Sequence, residues 1–135
     1  MWGLQKGTNV EPRPELTEKS KPVFKEIAAL LGDHPIVYRI GLRRALGLDR
    51  YGQELHTFNG RNAFTDAKEE LLDLIQYSVQ AFMECYPDKE LAEFRGYLDN
   101  LIKIHGLLEK MEMSNFLQNM FDNIEKEEGD QDAEV

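Results

Sequence analysis

The sequence predicts an all-α fold: a bundle of about five helices joined by short connections. Three observations carry it. Apolar residues recur at i, i+3, i+4 and i+7 through most of the chain. No stretch alternates in the way of a half-buried strand, and nothing repeats internally. Helix-start and helix-stop residues fall between the periodic segments at intervals suited to short links. The chain has 135 residues, enough for one core without staples.

In the first segment, Ser20 is placed to cap a helix with Pro22 in its first turn. Val23, Phe24, Ile27, Leu30 and Leu31 follow at helical spacing, and Gly32 ends it. Asp33-His34-Pro35 opens a second helix that runs through Ile36, Val37, Ile40, Leu42 and Leu46 to Gly47. From Leu48 to Gly60 the period breaks into turn-like Asp49-Arg50-Tyr51-Gly52 and Phe58-Asn59-Gly60. The clearest helix spans roughly 62–86. Pro87-Asp88 closes it and opens a fourth helix to about Met113, with Leu91, Phe94, Tyr97, Leu98, Leu101, Ile102 and Leu108 as its apolar set. Ser114 caps a fifth, carrying Phe116, Leu117, Met120, Phe121 and Ile124. The expected organisation is an irregular arm over 1–14, one helical domain over 15–124 and an acidic disordered tail over 125–135.

Charge narrows the function. Twenty-five Asp and Glu stand against sixteen Lys and Arg, a net −9. An acidic chain is a poor general binder of nucleic-acid backbone, since neutralising phosphates needs a basic field. Anionic membrane surfaces are disfavoured for the same reason, and no apolar run approaches the ~18 residues that span a bilayer. Six carboxylates against one lysine give the segment after Ile124 a net −5, as in a solvated tail. Cys85 stands alone, which excludes an intramolecular disulfide and nearly excludes a thiolate zinc site. His34, His56 and His105 share no ligand spacing. The expectation is a soluble cytoplasmic protein with Cys85 as a buried spectator. Met111, Met113 and Met120 are spaced as fillers of a core or of an oligomer interface.

Two constellations bear on chemistry. On the 62–86 helix, at about 100° per residue, Asp66, Glu70 and Asp73 fall within about 60° of one another, opposite Leu71, Leu72, Ile75, Val79 and Phe82. Like charges at i, i+4 and i+7 repel one another, and a hard divalent cation between them relieves the repulsion. Mg²⁺ takes oxygen ligands and commonly bridges carboxylates to substrate phosphates. A plain solvated helix face is the competing account. The second constellation is arginine. Arg39, Arg43, Arg44, Arg50 and Arg61 are five of the seven in the chain, and against Asp49 and Glu54 they give that stretch a net +3. The planar guanidinium fork suits phosphate, although ordinary salt bridging also accounts for the cluster.

Arg50-Tyr51-Gly52, Phe58-Asn59-Gly60-Arg61 and the run Asp66-Ala67-Lys68-Glu69-Glu70-Leu71-Leu72-Asp73-Leu74-Ile75-Gln76-Tyr77 together resemble the all-α, MazG-like nucleoside triphosphate pyrophosphohydrolases of small phage and bacterial type. The likeness covers roughly 48–84, and Glu70-x-x-Asp73 matches the family's metal-binding Glu-x-x-Asp. It implies Mg²⁺ held by Glu70 and Asp73, with Asp66 or Glu69 in support. It also implies phosphate contacts from Arg50 and Arg61, release of nucleoside monophosphate and pyrophosphate, and a homo-oligomer. The family's second motif, Glu-Glu-x-x-Glu on the preceding helix, is not found. Glu90-x-x-Glu93 lies downstream, where the next helix could turn it toward the site. Two alternatives follow from the residues: a nucleotide-binding or sequestering protein without catalysis, and an acidic helical protein that inhibits or engages a basic surface.

Overall fold

The structure, a computed structural model, describes residues 14–133, with side chains to Asp130. The arm expected over 1–14 lies outside the described residues except for Pro14. The described residues form four α-helices and one 3₁₀ turn, in the order α1 (Val23–Leu31), α2 (Pro35–Tyr51), α3 (Ala63–Cys85), the 3₁₀ turn (Leu91–Phe94) and α4 (Arg95–Ala133). Among the described residues there is no strand, and the all-α expectation holds. The chain divides into two compact units, Met1–Arg61 and Asn62–Val135, where the sequence suggests one domain over 15–124.

In the first unit Pro22, not Ser20, sits at the N-cap of α1. Ser20 is used elsewhere: its hydroxyl donates to the Phe58 carbonyl at 3.0 Å. Gly32 ends α1 at φ 55°, and three residues later α2 begins. His34 caps α2, its Nδ1 accepting from the Ile36 N–H at 3.1 Å, with Pro35 at the first position. α2 runs through Gly47, where the sequence suggests a stop, and ends at Gly52 with φ 74°. An interior glycine costs a helix only about 1 kcal/mol, whereas the left-handed residue at Gly52 terminates it outright. The helices pack as a hairpin. Phe24 lies against Gly41, where a Cβ would stand 3.4 Å from its ring.

The segment after α2 returns to the start of α1. Val23 N–H donates to the Leu55 carbonyl (3.0 Å) and Thr57 N–H to the Lys21 carbonyl (2.8 Å). The Lys21 N–H donates to Thr57 Oγ1 (3.0 Å). A single antiparallel bridge, Pro22 with His56, results.

In the second unit Asn62 caps α3, its Oδ1 accepting from the Phe64 and Thr65 N–H groups at 3.0 and 3.1 Å. α3 and α4 form an antiparallel hairpin. Its seam reads Phe64, Lys68, Leu71, Ile75, Ser78 and Phe82 along α3, a heptad spacing. Phe82 stacks on Phe94 at 4.7 Å between centroids. Ser78 Oγ and Tyr97 OH lie 3.2 Å apart, and Lys68 Nζ donates to Glu112 at 2.9 Å. Leu71 and Leu101 are the buried apolar side chains of the described residues.

Three expectations are corrected here. The fourth and fifth helices are one: α4 passes through Ser114 without a break and has 39 residues, so it opens at Arg95 and not at Asp88. Its first turn is fastened by Arg95 Nε donating to Asp99 at 2.7 Å, a contact that holds the guanidinium pKa above its ordinary value. The acidic stretch expected to be a disordered tail continues α4 to Ala133, since Glu, Lys and Ala are good helix formers. Cys85 is exposed, because it stands at the end of α3 beside the chain reversal.

Truncating Leu101 to Ala should lower stability by about 2–4 kcal/mol in urea denaturation, the range for a buried leucine. The same truncation at exposed Leu107 should cost well under half as much.

Candidate functional site

The first unit contains a cavity of about 610 Å³, a size that suits a small-molecule ligand. Its apolar walls come from Val23, Phe24 and Ile27 of α1, Ile40 of α2 and Leu55 of the returning segment. Its polar groups are Arg43, Arg44, Glu54, His56 and Arg61, with Tyr51 at the end of α2. Ile40, Arg43, Arg44, Gly47 and Tyr51 follow i, i+3, i+4, i+7 and i+11, so one face of α2 supplies all five.

The arginines have different duties. Arg44 is ion-paired with Glu54, and its guanidinium carbon lies 5.4 Å from the centroid of the Phe24 ring, within cation–π range. Arg43 makes no ion pair among the described residues and lines the cavity. Arg61 also lines it. Arg50 is exposed and outside the lining, two turns beyond Arg43 on the same edge of α2. The cavity thus gathers Arg43, Arg44 and Arg61 and leaves out Arg50.

Arg61 is placed by the turn before it. Asn59 is the buried polar residue of this unit. Its Oδ1 accepts from the Arg61 N–H at 3.0 Å, and its carbonyl accepts from the Glu15 N–H at 2.8 Å. The turn is tight: Phe58 has φ 49° and Gly60 φ 82°. A left-handed phenylalanine is strained, and here the Ser20 bond to its carbonyl holds it in place. His56 Nδ1 lies 2.9 Å from the Glu54 carbonyl. A proton on Nδ1 satisfies that contact and leaves Nε2 as the free acceptor.

The carboxylates belong to the second unit. Asp66 is half-buried, while Glu69, Glu70 and Asp73 are exposed. They occupy the face of α3 turned away from α4, since Lys68, Ser78 and Phe82 on the other face make the contacts to that helix. Among the described residues no three His, Cys, Asp or Glu side chains gather into a group that could hold a metal ion. Glu90 and Glu93 sit at the 3₁₀ turn, beyond the C-terminal end of α3. Asp73 stands twelve residues before that end, about 18 Å along the helix axis. Tyr77, on the carboxylate stripe, is exposed. His105 faces its own helix neighbour, with Nδ1 3.6 Å from Glu109.

No family model, characterised protein or solved structure matches this chain.

Replacing Asn59 with Ala should cost about 1–3 kcal/mol, since it removes the side-chain acceptor that the Arg61 N–H uses. Hydrogen exchange should quicken first at the Glu15, Lys21 and Thr57 amides, which the returning segment protects.

Proposed function

We propose that this protein binds a small phosphorylated ligand of the nucleotide class in the cavity of its first unit. The observation that supports the reading is the pairing, in one cavity, of an apolar and aromatic wall with Arg43, which makes no ion pair among the described residues. A base or sugar has Phe24, Leu55 and Tyr51 to pack against, and a phosphate has a guanidinium group to meet it. Arg44, already opposed by Glu54, serves to shape the wall.

A second reading, hydrolysis of nucleoside triphosphates to monophosphate and pyrophosphate, rests on the α3 stripe and on the resemblance of residues 48–84. The donor set there is all carboxylate, the chemistry Mg²⁺ prefers. Glu70 and Asp73, supported by Asp66 or Glu69, would hold the ion. When bound, Mg²⁺ supplies charge neutralisation for the polyphosphate and an acidified water.

Calorimetry with a panel of nucleotides, with and without Mg²⁺, tests binding. Arg43→Ala should weaken the affinity about tenfold or more, the loss of one charged hydrogen bond. Absence of heat with every nucleotide removes the first reading. Turnover of a mixed nucleotide pool with Mg²⁺, read as pyrophosphate, tests the second. Asp73→Asn should abolish release and leave Mg²⁺-free binding unchanged, and undiminished release in that variant removes hydrolysis by this stripe.

A further inference from the structure

From about its midpoint α4 carries an apolar stripe that its own unit leaves exposed. After Phe94 of the 3₁₀ turn, the seam face of α4 reads Leu98, Leu101, His105, Leu108 and Glu112, and the same spacing continues as Asn115, Asn119 and Asp122. The contact with α3 therefore ends in composition where it ends in length, since α3 starts at Ala63 and Lys68 already reaches Glu112. Past that point the apolar residues change face. Met113, Phe116, Leu117, Met120, Phe121 and Ile124 centre about 100° round the helix from the seam, and each is between 45% and 62% exposed.

The spacing of these six is the same read in either direction: three, one, three, one and three residues apart. A palindromic stripe is complementary to itself under a two-fold axis, the symmetry of an isologous dimer. We propose that two copies of this chain pair antiparallel along it. Met113 then meets the partner's Ile124, Phe116 the partner's Phe121, and Leu117 the partner's Met120. Covering the six removes roughly 600 Å² per copy and about 1,200 Å² in all, the lower bound of stable interfaces.

Charge sets the direction. A parallel pair would lay Glu125, Glu127, Glu128 and Asp130 beside their own copies, like against like. The antiparallel pair brings Glu127 level with Lys110, Glu128 with Glu109, and Glu125 with a Glu112 whose charge Lys68 already meets, so fewer like charges oppose each other than in the parallel pair. The proposal does not depend on the nucleotide reading.

Sedimentation of the full chain is the first test. A dimer is expected at about 100 µM, and Phe116→Glu with Phe121→Glu should weaken it at least about tenfold. Both side chains are exposed in the single chain, so helix content by circular dichroism should stay the same. Direction is read from disulfides in a Cys85→Ser background. Met113→Cys chains mixed with Ile124→Cys chains should cross-link on oxidation. Neither should cross-link alone, because like positions stand about 16 Å apart in the antiparallel pair, beyond the reach of a disulfide. A monomer at that concentration, which would leave the stripe to another protein's helix, overturns the proposal. So does a dimer indifferent to the double substitution, or cross-linking of each variant with itself.

Discussion

The contact between Leu71 and Leu101 faces of α3 and α4 is the constraint on which the second unit depends. Those two leucines are the buried apolar side chains of the described residues, and around them the hairpin is closed by the Phe82–Phe94 stack at one end and the Lys68–Glu112 pair at the other. Two helices can bury one stripe each and no more. Most apolar residues of α3 and α4 that lie off that stripe are consequently left at the surface of the unit. The number of such residues, with Leu72, Leu74 and Met83 on α3 and Ile102, Leu107 and Met111 on α4 among them, is more than scattered exposure accounts for.

The first unit is built differently. Its two helices contribute few buried atoms, and much of its order comes from backbone hydrogen bonds between residues 21–23 and 55–57. Such bonds are worth little individually when exposed, but they close a long loop and fix where it lies. The cavity is a product of that closure. Without the returning segment α1 and α2 would present a shallow apolar groove. With it, Leu55 and His56 form a second wall, and Asn59 sets Arg61 at the edge. Glu54 arrives on the same segment, and its pairing with Arg44 ties the wall to α2 by charge as well as by backbone.

Local chemistry was readable and non-local chemistry was not. Asn62 before an apolar-periodic run and Pro35 after His34 mark helix starts wherever the fold places them, and both starts stand. Gly47 and Ser114 read as boundaries because each is a poor interior residue, yet one such residue costs less than the packing or the continued hydrogen bonding of a long helix returns. The carboxylate face of α3 was legible in full, since it follows from helical period and the apolar seam opposite. The cavity was half legible. The Ile40, Arg43, Arg44, Gly47 and Tyr51 spacing is in the sequence, whereas the wall opposite comes from residues some 30 positions from α1, brought back by bonds that leave no composition signal. Arg50 belongs to the motif neighbourhood by sequence, yet it lies two turns beyond Arg43 and outside the lining.

The two units therefore present their charged groups in unlike ways. Carboxylates on a helix face are fixed only by the rotation of that helix, so Glu69, Glu70 and Asp73 can serve any partner that meets the face and are committed to none within α3 and α4. In the first unit the Arg44 guanidinium is held between Phe24 and Glu54, and the Arg61 backbone is held by Asn59. Preorganised groups give up less freedom on binding than free ones. The proposed anion site of the first unit would thus be assembled before binding, whereas the proposed hydrolytic site on α3 would need a cation to organise carboxylates that the helix merely displays.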